Sequence, residues 1–185
     1  MRAASRILPV MKFAAIAAVL LVVTVASAET LKTTATKMAD RASAAMAKQD
    51  YKGFEAIVKA STTSDFKYVE AGRSMNLTQM MAGIKQGSGM MKIKSAHAKI
   101  LSCSEKGGKS GSTTTSHDFK GTMTGPDKKP HTLAGSMTSK DTWVKVGGKW
   151  KMSVMTVTGY KATMDGKPYN PMAGAPTSKS AGSSK

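Results

Sequence analysis

Three histidines and one acidic residue are the side chains in this sequence best suited to acid–base chemistry. His97 and His117 lie in segments with a β-strand pattern, whereas His131 follows Pro130 at a loop edge and is expected to be solvated. Asp65 begins a short alternating run that includes Tyr68. Histidine titrates near neutral pH, and a carboxyl group held in an apolar pocket can serve as a general base. Asp65 and His117 are therefore the candidate catalytic residues, and His117 is the best histidine because it shares a strand face with Phe119.

Each of these residues also has a purely structural interpretation. Strand alternation puts Asp65 and Tyr68 on opposite faces unless a bulge intervenes, so Asp65 could simply end a loop or cap a helix. The histidine spacings match no short metal-ligand motif, and we expect neither a metal site nor a cofactor. Cys103 is the only cysteine, which excludes an internal disulfide. It shares its alternation with Ile93 and Leu101, which predicts burial as a small apolar side chain.

A set of aromatic residues could form the wall of an apolar binding site. Tyr51 and Phe54 occur at helical spacing, and the fifteen methionines add side chains that suit both cores and adaptable binding walls. We take five aromatic residues as candidate ligand-binding residues: Tyr51, Phe54, Tyr68, Phe119 and Trp143.

The elements that would position these residues can be read along the chain. Helical spacing runs from Thr30 to about Lys59, with a possible break at Gln49-Asp50. A short strand at 65–70 follows, then a helix from Asn76 or Thr78 to Gly87. Four long antiparallel strands are predicted at 91–104, 112–124, 133–146 and 150–163. Helices that precede an antiparallel sheet indicate the α+β class.

The last two strands form the clearest motif. Trp143 and Trp150 flank Gly147-Gly148, a pair that favours a tight hairpin turn because glycine adopts positive φ without steric cost. Strict alternation beyond the turn predicts two faces, with Trp150, Met152, Val154 and Thr156 on one, and Lys151, Ser153 and Met155 on the other.

The two ends of the chain differ from the segment between them. Arg2, Arg6 and Lys12 precede an apolar run at 13–23, and the small residues of Val25-Ala26-Ser27-Ala28 follow. This pattern is typical of a secretory signal peptide cleaved after Ala28, and it predicts a secreted or periplasmic protein with no membrane anchor after processing. We expect one domain at 29–165 and a disordered tail at 166–185, which is rich in Pro, Gly, Ser and Lys.

The charge balance is strongly basic. The whole chain has a formal net charge of +17, and +14 remains once the three basic residues of the predicted leader are removed. This charge favours anionic partners, and anionic surface polymers are possible ones. The lysines are scattered rather than clustered, so specific nucleic-acid binding is not expected.

The order and spacing of these segments resemble the SnoaL-like, nuclear transport factor 2-like superfamily. The resemblance covers about 37–163 and is carried by the strand 65–73, the helix 78–87 and the hairpin with Trp143, Gly147-Gly148 and Trp150. It implies a cone-shaped α+β barrel, with N-terminal helices packed on a strongly curved antiparallel sheet. It also implies an apolar pocket and frequent homodimers through the open sheet face.

Two functions are compatible with this resemblance, because one fold serves many activities. The first is a non-catalytic domain that binds a small apolar ligand or a protein partner in its cone. The second is a small lyase or isomerase in which Asp65 or His117 is the general base. Enzymes of this fold commonly pair such a base with a tyrosine that stabilises an enolate-like oxygen, a role open to Tyr68, Tyr51 or Tyr160.

Overall fold

The computed structural model describes residues 29–125 and 127–169. Three helices and seven strands follow one another along this part of the chain. In order they are α1 Leu31–Ala47, α2 Tyr51–Ser61, β1 Thr62–Glu70, β2 Arg73–Asn76, α3 Leu77–Ser88, β3 Met91–Lys106, β4 Ser110–Thr124, β5 Pro130–Val146, β6 Lys149–Met164 and β7 Lys167–Tyr169. The predicted order of helices and long strands is confirmed, while β2 and β7 are additional short strands.

The strands form one curved sheet that is antiparallel except at one pairing. Its order is β2-β1-β6-β5-β4-β3, and β7 pairs with β6. β1 lies parallel to β6, although the two strands are far apart in the chain. β3 and β2 stand at opposite ends of this order, so the sheet wraps the helices without closing. The predicted α+β cone is therefore confirmed, but it is an open one and not a barrel.

The helices start and stop where local chemistry requires. The predicted break between the first two helices is confirmed, because Gln49 adopts a positive φ and the carboxylate of Asp50 caps α2 by accepting from Gly53 N at 2.8 Å. Asn76 begins α3 with a capping box, in which its side chain accepts from Gln79 N and the Gln79 side chain accepts from Asn76 N. Such caps satisfy amide groups that the helix itself leaves unpaired.

Bulges in the long strands alter the faces that strict alternation predicts. A register shift between Ile100 and Ser102 leaves Leu101 55% exposed, while Cys103 packs partly buried against the core. The prediction that Leu101 and Cys103 share a face is wrong for this reason. A second shift on β6 skips Ser153 and brings Met155 to the inner face, which corrects its predicted outward position.

The two tryptophans are part of the core that joins the sheet to the first helix. Trp143 is 1% exposed and Trp150 is 4% exposed, and both belong to the main core with Leu31 of α1. Trp150 Nε1 donates to the carbonyl of Glu29 at 3.1 Å. Glu105 Oε1 accepts from Leu31 N at 2.8 Å. These bonds attach the start of α1 to the hairpin and to β3.

The far end of the sheet carries a second set of polar contacts around His131. Its Nδ1 lies 2.6 Å from Asp165 Oδ2, and its Nε2 lies 2.9 Å from Asp127 Oδ1. The two carboxylates raise the pKa of His131, and the histidine lowers the pKa of both aspartates in return. His131 therefore joins the β4–β5 connection to the turn after β6 and is more than the solvated loop residue that its position beside Pro130 indicates.

The described part of the chain ends in a short strand after β6. Lys167–Tyr169 pair with β6 as β7, because the positive φ of Asp165 and Gly166 reverses the chain. Residues 167–169 of the predicted tail thus form a short strand. The predicted leader 1–28 and residues 170–185 lie outside the described residues. Within residues 29–125 and 127–169, no helix has the length and apolar character needed to cross a membrane.

Candidate functional site

The concave side of the sheet and the three helices enclose a cavity of about 510 Å³. Its walls are mainly apolar and come from all three helices and from six strands, β1 to β6. Met38 and Ala42 of α1 line it, as do Met137 and Met155 of the sheet. A volume in this range is typical of cavities that hold one small organic molecule.

A line of hydrogen-bonded polar side chains, here called the polar seam, runs beside this cavity, and four of its six members line it. Its members lie on the neighbouring strands β4 and β5: Thr113, Thr115, His117, Ser139, Asp141 and Trp143. Alternate residues of a strand share a face, and the register of β4 and β5 places Thr113 opposite Asp141 and Thr115 opposite Ser139. The strand pairing therefore assembles the seam from residues that are far apart in the sequence.

Asp141 is at the centre of the polar seam. Its Oδ2 accepts a hydrogen bond from Thr113 Oγ1 at 2.9 Å and another from Thr115 Oγ1 at 2.8 Å. Thr113 Oγ1 in turn accepts from Trp143 Nε1 at 3.0 Å. Because Thr113, Thr115 and Asp141 are each no more than 3% exposed, these bonds hold the carboxylate in one orientation.

The other carboxylate oxygen has a different environment. Asp141 Oδ1 is buried and has no hydrogen-bond partner within the described part of the chain, although Asp141 lines the cavity. A buried carboxylate oxygen without a partner is energetically costly. The arrangement leaves an unsatisfied hydrogen-bond acceptor on a residue that lines the cavity.

His117 lies further along the polar seam, where Nε2 is 3.2 Å from Ser139 Oγ. Burial lowers its pKa, and the nearby charges of Asp141 and Asp118 oppose this effect without cancelling it. The imidazole is therefore neutral at pH 7 and can accept or donate a proton.

Tyr68 and Tyr160 add two phenol groups to the cavity. Burial raises the pKa of both, and the neighbouring carboxylate of Glu70 raises each further. Both hydroxyls stay protonated at neutral pH and can donate hydrogen bonds. The ring of Tyr160 lies 6.3 Å from that of Phe119, centre to centre, and both residues line the cavity.

The structure places most of the residues singled out in the sequence in this one cavity. Tyr51, Phe54, Tyr68, Phe119 and Trp143 all line it, together with His117. Tyr68 points inward because it stands two residues after the buried Phe66 on β1 and so shares its face. Alternation also puts Asp65 on the opposite face, where it is exposed and contacts Thr63 instead of the cavity. Asp65 is thus separated from the other candidates, and we assign it no catalytic role.

The other two histidines lie apart from the polar seam. His97 is exposed at the rim of the cavity, and His131 bridges its two aspartates at the far end of the sheet. No group of three or more potential metal ligands is found within residues 29–125 and 127–169.

Asp141 is the functional residue that the sequence analysis missed. It stands two residues before Trp143 on the same strand, so the alternation that buries the tryptophan buries the aspartate as well. Thr113 and Thr115 likewise share the face of His117. An acidic residue on the apolar face of a predicted strand was the available signal.

Comparisons with known proteins identify the fold. No family model and no curated protein matches the sequence. Among solved structures, the chain is similar to a nuclear transport factor 2-like protein from Cytophaga hutchinsonii, with 13% identity, a TM-score of 0.52 and coverage of 71% of this chain and 99% of that one. It is also similar to a proposed scytalone dehydratase from Novosphingobium aromaticivorans, with 14% identity, a TM-score of 0.54 and coverage of 70% and 84%.

A conserved protein from Planctomyces limnophilus is a third similar structure, with 18% identity, a TM-score of 0.50 and coverage of 66% of this chain and 91% of that one. Identities this low establish the fold and nothing further about activity. The chain has the SnoaL-like, nuclear transport factor 2-like fold, and the resemblance stated from the sequence is confirmed at that level.

Proposed function

We propose that this protein, with its nuclear transport factor 2-like cone, is an exported binding protein for a small and mainly apolar molecule. The observation that carries the proposal is the cavity of about 510 Å³, walled by methionine and aromatic side chains. Burial of an apolar ligand there gains about 25 cal/mol for each Å² removed from water. Export rests on the signal-peptide pattern at 1–28.

A pair of variants on α1 tests binding in the cavity. Ala42 lines the cavity, whereas Ala44 is exposed on the same helix. We expect Ala42→Phe to fill the cavity and weaken binding of Nile red, a neutral apolar dye, at least about tenfold, because the large ring takes the ligand's volume. Ala44→Phe changes helix propensity equally and should bind the dye as the wild type does.

The proposal is contradicted if both variants bind the dye as the wild type does. Equal dye binding by Ala42→Phe and the wild type would place the dye elsewhere and remove the support for a cavity ligand. Mass spectrometry of the protein purified under native conditions complements the test, since a retained small molecule would reveal the chemical class of the natural ligand.

The second candidate function is a small lyase or isomerase, and the unpartnered oxygen of Asp141 favours it. Asp141 Oδ1 is a possible proton acceptor at the wall of an apolar cavity, and His117 lies on the same polar seam. A base in this position could remove a proton next to a carbonyl group while a tyrosine hydroxyl donates to the enolate oxygen.

Measuring the rate of deuterium exchange into a ketone distinguishes the enzymatic function from the binding function. The probe is 2-tetralone, an apolar ketone with exchangeable protons, in D₂O. An enzyme should accelerate exchange above the buffer rate and lose the acceleration in Asp141→Asn, while Asp65→Asn keeps it. Exchange at the buffer rate despite binding of the ketone would leave the binding function and exclude proton abstraction from this probe.

A further inference from the structure

We propose that the cavity selects an apolar amine, whose ammonium group sits against the carboxylate of Asp141. This inference rests on the proposed function, since it needs a ligand in the cone, and it adds the chemical class of that ligand. Three observations carry it: the charge of the cavity wall, the free oxygen of Asp141 and the character of the surrounding side chains.

The charge of the cavity wall is opposite to that of the whole protein. The chain has 28 Lys and Arg residues against 11 acidic ones, yet none of the described residues that line the cavity is Lys or Arg. The lining includes three carboxylates, those of Glu70, Asp118 and Asp141. An apolar acid would meet no cationic partner there and would be repelled by carboxylates.

Asp141 supplies the specific contact. A carboxylate only accepts hydrogen bonds, so the ligand group beside it must be a donor. Two threonine hydroxyls already satisfy Oδ2, and the buried Oδ1 is the oxygen without a partner. An ammonium group gives the strongest match, because a hydrogen bond between two opposite charges is shorter and stronger than one to a neutral hydroxyl.

The rest of the wall suits the apolar body of such a ligand. Eight methionines line the cavity, among them Met38, Met80 and Met155. Their thioethers are polarizable and adapt to the shape of a ligand, and tyrosine and tryptophan faces attract a cation. The neutral imidazole of His117 adds no competing positive charge.

Three naphthalene probes of similar shape test the inference on the wild-type protein. They are 1-(aminomethyl)naphthalene, 1-naphthalenemethanol and 1-naphthoate, which carry an ammonium, a hydroxyl and a carboxylate at pH 7. Calorimetry in 0.15 M salt should show the amine binding at least about tenfold more tightly than the alcohol, with the carboxylate weakest. The positive field of the protein acts against this order, so nonspecific charge attraction cannot produce it.

Two matched substitutions test whether Asp141 causes the preference for the amine over the alcohol. Asp141→Asn should bring the amine and the alcohol to within about twofold of each other, because the charge at the contact is gone. Asp65→Asn changes the net charge equally at an exposed site outside the cavity, so the tenfold preference should remain. If Asp141→Asn does not fold, as judged by circular dichroism, the order of the three probes on the wild type still decides the question.

The other outcomes separate this inference from the function on which it rests. Equal binding of amine and alcohol, or preference for the carboxylate, overturns the amine selectivity and leaves ligand binding intact. Binding of Nile red without binding of any naphthalene probe does the same. Failure of both Nile red and the probes to bind removes both proposals.

Discussion

Substitution of Thr115 by valine should weaken the fold through one lost hydrogen bond. Thr115 is 3% exposed, and its hydroxyl donates to Asp141 Oδ2 at 2.8 Å. Valine keeps the β-branched shape and nearly the same volume, so packing and strand propensity change little. Hydrogen bonds to charged groups contribute about 1.5–3 kcal/mol, and we expect the free energy of unfolding to fall by about that amount.

Urea unfolding followed by tryptophan fluorescence measures this loss. The fluorescence reports directly on the core, because Trp143 and Trp150 are both buried in it. Thr114→Val is the matched control, since Thr114 is the next residue on β4 and faces away from the polar seam. Its free energy of unfolding should stay within about 0.5 kcal/mol of the wild type.

A double-mutant cycle with Asp141→Asn assigns the loss to the bond itself. In the asparagine background the same threonine substitution removes a bond between neutral groups, so its cost should drop to about 0.5–1.5 kcal/mol. An equal cost in both backgrounds would mean that the carboxylate is not what Thr115 stabilises. A loss below about 0.5 kcal/mol in the wild-type background would refute the reasoning outright.

Three further predictions concern other parts of the fold. Asn76→Ala removes the capping box of α3 and should lower the free energy of unfolding in urea by about 1 kcal/mol; an unchanged midpoint would show that the cap is dispensable. Gly135→Ala puts a methyl group 2.6 Å from the Phe119 ring and should cost about 1–3 kcal/mol, whereas Gly159→Ala, whose nearest contact is 3.9 Å away, should cost less. Because its two aspartate partners raise the pKa of His131 above 6.5, its contribution to stability is complete below pH 6.5 and is lost as pH rises through the raised pKa. His131→Gln should flatten that slope, and an NMR titration of His131 giving a midpoint at or below 6.5 would contradict it.

Local chemistry made much of the fold predictable. Gln49-Asp50 interrupts the first helical segment because one residue takes a positive φ and the next caps the following helix. Gly147 and Gly148 both have positive φ, as the predicted hairpin turn requires. These features depend on neighbours in the sequence, so pattern and turn chemistry were sufficient to place them.

Bulges and long-range pairing were not predictable in the same way. The extra residue at Ser153 sends Met155 to the inside, and nothing in the surrounding sequence identifies that position. A bulge depends on the register that the partner strand imposes, and one inserted residue reverses every side chain beyond it. β2 and β7 are four and three residues long, too short for an alternating pattern to stand out.

The sequence predicted the aromatic residues of the candidate site but not its buried acid, because the acid depends on long-range strand pairing. Aromatic residues on the apolar face of a helix or strand point either into a core or into a cavity. All five aromatic residues that we took as candidate ligand-binding residues line the cavity. The acid was harder, because what distinguishes Asp141 from Asp65 is the set of elements that covers each strand face. Thr113 and Thr115 make burial of Asp141 tolerable, and they become its partners only once β4 and β5 are in register.

The parallel pairing of β1 with β6 limits when this protein can finish folding. Tyr68 pairs with Met155, so the strand that seats Tyr68 in the cavity wall waits for a partner made almost ninety residues later. Until that partner emerges from the ribosome, β1 has only the four-residue β2 beside it. We expect the β3–β6 meander to form first and the N-terminal third to dock last. A chain with this order of assembly keeps its cavity open through most of its synthesis.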